Sequence, residues 1–524
     1  MSCKSLGAIC LLAFLMATEA WAQAGTNFFT TSPPNPVGSG ARAMGMGGAF
    51  IAVGDDGTAA SWNPACLIQL EKPEASFVVT QDFRDIDGAN VDFFGGNYIS
   101  MSYPFTVKSS SLDLFGQSDI NMILSFNYQK LFDMFSDFGP KTIDDREFQS
   151  GFDVAVEGGD STITTDDFFL VWTNQVGKIS DLSSEQSGDL GALAPAFAIQ
   201  LGPKLSVGMT YNFWRDGWLG SRVDQEYEES GTSGSKMTTD FWTDTVAPYC
   251  ACNGGHCLQD MSVDDPSCLD ALFLSVPNAA AFTTESYDNR TKFRMEGRNF
   301  NVGVLYDVNG RWTVGGVYRS PVKMEVERTV DTTFRKIDWE DDGLGNVTIN
   351  GDNITKWHNE YEDKVTFPES YGLGVGYRFS DALSFTADVT RVNWNEYVYE
   401  QEGGTRYSLV NGLKPDKADV APTYTVRAGG EYLIIKPKYV VPIRAGFFYD
   451  PEPAKDQPDD VYGITAGSGF AFKWMAFDLT YFYRFGNDII LNVTADPAHE
   501  QIVEVKRGDL AQHMLMLSTI VYFE

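Results

Sequence analysis

The chain has 524 residues, with 71 Asp and Glu against 39 Lys and Arg, for a formal net charge of −32. Such acidity excludes a nucleic-acid partner, whose phosphates demand Lys and Arg. Aromatic residues at 14% and 50 glycines suit many strands in close backbone contact, and beyond the N-terminus no run of about 18 apolar residues offers a membrane helix.

Residues 1–22 read as a signal peptide. Lys4 precedes an apolar run from Leu6 to Ala17, and Ala20-Trp21-Ala22 supplies a small-x-small cleavage site, so export with a mature start near Gln23 is expected. Cys3 and Cys10 lie too early for a lipoprotein signal.

Residues 23–73 contain GARAMGMGGAFIAVGDDGTAASWNPACL, from Gly40 to Leu67. Gly45, Gly47 and Gly48 approach a dinucleotide fingerprint, but Phe50 stands where the last glycine belongs and no βαβ pattern follows. Asp55-Asp56-Gly57 lacks the alternating ligands and terminal Glu of a calcium loop. What remains is a compact glycine-dependent coil that turns at Asn63-Pro64-Ala65.

From residue 74 onward the chain alternates apolar with small or charged residues. Tyr371, Leu373, Val375, Tyr377 and Phe379 share one face, and Gly372, Gly374, Gly376 and Arg378 the other. Asn309-Gly310 between two such runs is a strong hairpin signal. Candidate strands fall at roughly 74–84, 90–105, 119–131, 166–178, 190–202, 204–216, 297–309, 311–327, 364–380, 382–398, 424–436, 439–450, 460–472, 474–486 and 511–523. Very short connections alternate with long ones, as in an all-β transmembrane antiparallel barrel with tight periplasmic turns and long outer loops. Because such barrels close with even strand numbers, 166–178, set in acidic, Ser-rich sequence, is left out, giving about 14 strands over residues 74–524. Residues 23–73 are too long for a dangling terminus and are expected to fill the lumen.

The longest insertion, 217–296, carries Cys250, Cys252, Cys257 and Cys268. With His256 among them zinc is conceivable, but an exported chain favours two disulfides, in any of three pairings. Cys66 is left as a lone buried thiol. Asp265 and Pro266 can start a helix whose Leu269, Leu272, Phe273 and Val276 form a one-sided apolar stripe. That stripe serves either to pack on the barrel rim or to receive hydrophobic ligands. Only His256, His358, His499 and His513 are present, and none sits in a hydrolase pattern, so no enzyme, cofactor or metal site is expected.

GARAMGMGGAFIAVGDDGTAASWNPACL, NVGVLYDVNGRWTVGGVYRSPVKMEVE, FPESYGLGVGYRFSDALSFTADVTRVNW and YTVRAGGEYL with PIRAGFFYDPEP together resemble the FadL/TodX-type outer-membrane transporters of long-chain fatty acids and other hydrophobic compounds. The likeness covers residues 40–67 and most of the chain after 190. It is weak over 85–190 and in the 217–296 insertion. It implies a fourteen-stranded barrel closed by an N-terminal plug, in which Gly45, Gly47, Gly48, Asp55, Asp56, Asn63, Pro64 and Ala65 form the gate. Ligand would pass from a groove at Leu269, Leu272, Phe273 and Val276 to an inner pocket. Arg215 and Lys417 would meet its polar end, while Phe28, Phe29, Phe50 and Ile51 would line the pocket. Release would be lateral, into the bilayer, through a wall opening that depends on a strand kink. The partners implied are hydrophobic small molecules (long-chain fatty acid, alkane or aromatic hydrocarbon), outer-membrane lipid and the barrel-assembly machinery, with the protein a monomer. The Cys-rich insertion and the terminal Glu524 depart from the family pattern, and the N-terminal segment also resembles that of PorV-type secretion shuttles.

Overall fold

The computed structural model describes residues 35–36, 39–86, 89–108, 119–133, 136–155, 168–217, 223–242, 274–275, 280–341, 347–496 and 501–523. The signal peptide, Phe28, Phe29, the four insertion cysteines, the stripe residues Leu269, Leu272, Phe273 and Val276, and Glu524 lie outside them.

Fourteen antiparallel strands form a closed ring. They are β1 (Glu74–Ile86), β2 (Ala89–Lys108), β3 (Asp119–Asp133), β4 (Asp189–Gln200), β5 (Leu205–Arg215), β6 (Ala280–Asp307) and β7 (Trp312–Arg319). Then follow β8 (Ser370–Arg378), β9 (Leu383–Val392), β10 (Thr423–Ile435), β11 (Val440–Tyr449), β12 (Tyr462–Ala471), β13 (Met475–Asp496) and β14 (Gln501–Tyr522). Each pairs with the next, and β14 pairs with β1 from Glu74↔Tyr522 to Ile86↔Leu510, which leaves the ring no free edge.

The period-2 pattern decides which side is wet. On β1, Glu74, Ser76, Val78, Thr80, Asp82 and Arg84 point inward and are buried, whereas Phe77 and Phe83 point outward and are exposed. Phe126, Leu373, Ile464 and Leu479 are likewise exposed on the outer wall. An apolar outside around a polar inside is the arrangement lipid requires. Exposed Tyr306, Trp312, Phe379, Tyr439 and Trp474 gather at the end closed by the short connections 308–311, 379–382, 436–439 and 472–474. Tyr371, Tyr424 and Tyr462 mark the opposite rim. The nine residues from Tyr371 to Phe379 span about 26 Å of strand, the scale of a membrane's apolar band.

The short turns form as their residues dictate. In the β6–β7 hairpin, Gly310 has φ 72°, Asp307 Oδ1 accepts its N–H at 2.6 Å, and Asn309 Oδ1 accepts the Trp312 N–H at 3.1 Å. Some candidate strands need new bounds. The run 311–327 breaks at Ser320-Pro321, and 364–380 breaks at Pro368, where a ring strand ends and another sheet begins.

That second sheet is a correction to the expected loops. Strands Ser136–Ala155, Phe168–Ser187, Val223–Trp242, the first half of β6, Val322–Asp341 and Val347–Phe367 pair in that order beyond the ring. The segment around 166–178 is thus a strand but not a barrel strand, and much of 217–296 is sheet rather than loop. At its base an apolar cluster of Trp214, Phe293, Met295, Met324, Phe367 and Tyr397 is fully or nearly fully buried.

Candidate functional site: the segment inside the ring

Residues 39–70 make two short helices, Ala41–Gly45 and Ala59–Trp62, and a 3-10 turn, Pro64–Gln69. Ala43, Ala49, Phe50, Ala59, Ala60 and Leu67 have no exposed surface. Hydrogen bonds run from this segment to strands on every side, which places it inside the closed sheet.

Its first helix is anchored by wall hydroxyls. Ala41 N–H donates to Ser518 Oγ at 2.7 Å, and Gly47 N–H to Thr465 Oγ1 at 3.0 Å, while that hydroxyl donates to Gly45 O at 3.0 Å. Asp388 Oδ2 accepts both Phe50 N–H and Ile51 N–H. Asn63 caps the 3-10 turn through Ala65 N–H at 3.1 Å, and its amide donates to Ile51 O at 2.7 Å and Val304 O at 3.1 Å. Thr210 and Thr313 donate to Ala60 O and Ala52 O, Tyr98 OH to Gly57 O, and Arg319 to Trp62 O. A segment with little regular structure thus has its backbone polar groups satisfied by the wall, as burial demands.

Charge follows the same plan. Arg42 bonds Glu431 through two nitrogens, at 3.0 and 3.2 Å, and pairs with Asp55. Arg444 bridges Glu431 at 2.6 Å and Asp478 at 2.5 Å. Asp56 accepts from Thr58, and burial, its largest influence, raises its carboxyl above the usual range. Burial also pushes the Cys66 thiol up to about 12.

Close approach to the wall needs glycine on both surfaces. Gly47 and Gly48 have φ of 71° and 74°, and a Cβ on Gly47 would lie 2.9 Å from both Ala428 O and Phe447 O. Opposite, the inward glycines Gly372, Gly374 and Gly376 of β8 leave the space that Ile51 and Val53 occupy. Gly208 and Gly303 do the same for the Asn63-Pro64-Ala65 turn.

The gate residues expected from sequence are therefore together, with Phe50 and Ile51. The two cations are not. Arg215 shares the outward parity of Met209 and Phe213 on β5 and pairs with Glu296 at 3.1 Å, both side chains mostly exposed. Lys417 is exposed on the connection between β9 and β10. Both assignments to the inner pocket are corrected: strand parity sends one outward, and the other sits on a surface connection. The residues missed are the wall side chains that hold the segment, above all Arg319, Asp388, Glu431, Arg444 and Asp478. Their signal was a charge at an inward position of an otherwise alternating strand.

Two features of the wall adjoin this segment. A cavity of about 30 Å³ lies between Met44 of the first helix and Phe448, Phe482 and Met514 of the wall, with Arg84, Arg427 and Arg484 at its rim. On β2, a bulge at Asn97 shifts the pairing, so that Val78 opposes Tyr98 and Val79 opposes Gly96. Pairing of β2 with β3 starts only at Tyr98↔Gln129. Beyond that point β3 keeps β4 on one edge, and Asn35-Pro36 pair with Asp133 and Phe132 on the other, where β2 would have been. The buried Asn97 amide finds no hydrogen-bond partner among the described residues.

A closed barrel, apolar outside and polar inside, ringed by aromatic side chains and filled by its own N-terminal segment, is an outer-membrane transport barrel. The chain belongs to the outer membrane protein transport protein family (OMPP1/FadL/TodX), whose model matches residues 171–496. Solved structures similar to it include a Pseudomonas aeruginosa FadL homologue, at 15% identity and TM-score 0.49 over 94% of this chain and 100% of that one. The monoaromatic hydrocarbon channel CymD is 15% identical, with TM-score 0.45 over 94% and 99% of the two chains. The Pseudomonas putida toluene transporter TodX is 14% identical, with TM-score 0.44 over 94% and 100%. No curated protein matches the sequence. The family is one of transport proteins, and its place is the bacterial outer membrane.

Proposed function

We propose that the protein admits hydrophobic small molecules by passive diffusion, with residues 39–70 as the gate and a lateral exit between β2 and β3 into the bilayer. The observation that carries this reading is the parting of β2 from β3 above Tyr98, beside the Asn97 bulge, with Asn35-Pro36 laid along the vacated edge of β3. Lateral release suits an apolar cargo, which then never crosses an aqueous channel. Beside that parting, the buried Asn97 side-chain amide has no hydrogen-bond partner among the described residues. Capture at the outer surface falls to Leu269, Leu272, Phe273 and Val276, outside the described residues. The protein works as a monomer, placed in outer-membrane lipid by the barrel-assembly machinery.

The test is a cross-link. Residues 36 and 132 are directly opposed, so Pro36→Cys with Phe132→Cys permits a disulfide across the exit. In proteoliposomes, uptake of a hydrophobic probe should fall at least ten-fold when the bond forms and recover on reduction. Unchanged uptake with the bond confirmed by mass spectrometry would exclude this exit.

A further inference from the structure

We propose that the end of the barrel closed by the short turns binds the headgroups of anionic phospholipids in the periplasmic leaflet. The inference is independent of what the barrel transports. Charge along the barrel axis carries it. The chain as a whole has a net charge of −32, yet the short turns between β4 and β13 are basic. Lys204 ends the turn 201–204, Arg311 ends 308–311, Lys436 and Lys438 lie in 436–439, and Lys473 is central in 472–474. The turn 379–382 holds Asp381, and Arg378 just before it pairs with that carboxylate at 3.4 Å. All these cations are exposed. Of the other described charges at this rim, Glu71 adjoins Lys72 and Asp119 opposes Lys108 across β2 and β3. Asp307, which accepts the Gly310 N–H, adds one further carboxylate. The opposite end has the reverse sign: the β11–β12 connection carries five carboxylates between Asp450 and Asp460 against Lys455 alone.

The cations sit beside the lipid-facing rings. Arg311 precedes Trp312, Arg378 precedes Phe379, Lys438 precedes Tyr439, and Lys473 lies between Phe472 and Trp474, and each of these rings is exposed. Such rings settle at the edge of the apolar band, and a flexible cation next to one reaches out to the height of lipid phosphates. Lys204 Nζ donates to Val308 O at 2.8 Å, which holds its charge between two neighbouring turns.

The distribution points to the partner. The cations are spread along the rim from β4 to β13, so the surface they match is a continuous layer of anions at one height. A leaflet containing acidic phospholipid is such a layer, and it attracts Lys and Arg held within a Debye length of its phosphates. A single soluble partner would meet one arc of the rim and leave the rest unmatched.

The experiment places the full-length barrel in phosphatidylcholine bilayers with trace spin-labelled lipid and measures the motionally restricted fraction against the barrel. Phosphatidylglycerol should be selected over phosphatidylcholine about three-fold at low salt. The preference should largely vanish in about 0.5 M NaCl, where screening shortens the Debye length to about 4 Å. The combined variant Arg311→Gln, Lys436→Gln, Lys438→Gln and Lys473→Gln should remove most of the preference. Lys417→Gln with Lys455→Gln, at the opposite end, should leave it unchanged. A heat-modifiable barrel band confirms that each variant has folded, and the salt series on the wild type needs no variant. Equal association of the two lipids with the wild type overturns the proposal, as does a preference that survives the combined variant or disappears with the opposite-end one. Excess glycerol 3-phosphate should not compete. Competition would mean that the turns bind soluble phosphate rather than a leaflet, and would overturn the proposal too.

Discussion

Asp388 of β9 holds Phe50, 338 residues away in sequence, by a 2.6 Å hydrogen bond from the Phe50 backbone N–H. The same oxygen accepts the next N–H, of Ile51, at 2.9 Å. One wall carboxylate thus fixes the sharpest stretch of the inner segment. In Asp388→Ala both donors stay buried without an acceptor, at a cost of about 1–3 kcal/mol for each. The expected outcome is rapid hydrogen exchange at residues 50 and 51 with the heat-modifiable barrel band intact. Protection equal to the wild type would show that the contact does not hold the gate.

Gly47 combines a left-handed backbone with a carbonyl wall 2.9 Å from where a Cβ would stand. Gly47→Ala should therefore lift the segment off β10 and β11, with a conformational cost of about 1–2 kcal/mol before any clash. Limited proteolysis is expected to cut between residues 39 and 70 in this variant and to spare the wild type.

Cys66 is fully buried, its Sγ lies 3.2 Å from Ile51 O, and burial pushes its thiol up to about 12. Maleimide at pH 8 should leave the Cys66 peptide unlabelled in the folded barrel and label it fully after denaturation. Adding a hydrophobic ligand that opens the gate should produce measurable labelling, read by mass spectrometry of that peptide.

His358 stands above the membrane on strand Val347–Phe367, with Nδ1 2.7 Å from Asp331 Oδ1 of the neighbouring strand. That hydrogen bond is the main reason its imidazole is raised above the ordinary value, and Asp331 is correspondingly lowered. A raised folded value means the contact stabilises fully below about pH 6.5 and fades as pH climbs through the raised value. Amide protection around residues 331 and 358, corrected for the intrinsic pH dependence of exchange, should be higher at pH 5.5 than at pH 8.5. His358→Ala should remove the difference.

Much of the barrel was legible because its strands bury one face and show lipid the other, which writes a period of two into the sequence. The candidate strands follow from that pattern, the even count of a closed barrel set 166–178 aside, and turn chemistry marked Asn309-Gly310. The outer sheet was not legible for the converse reason. From Asp352 to Glu360 both faces are exposed, so Trp357 and His358 alternate with nothing. At the site, the glycines and the Asn63 turn declared themselves locally, whereas their partners are tertiary. Nothing near Phe50 points to Asp388. Arg215 is different: its parity with Met209 and Phe213 was present in the sequence and already argued for the outer face.

β6 runs without interruption from Ala280 to Asp307, 28 residues, or about 90 Å of extended chain. Only the part from Glu296 onward is wall, paired with β5. The remainder is a mast continuous with the barrel, stiffened on both sides by neighbouring strands. The polar sugar coat outside the bilayer is the layer a greasy molecule crosses least readily. On the capture role proposed above, a mast of this height would let cargo be met beyond that coat and bypass the slow step of wading inward.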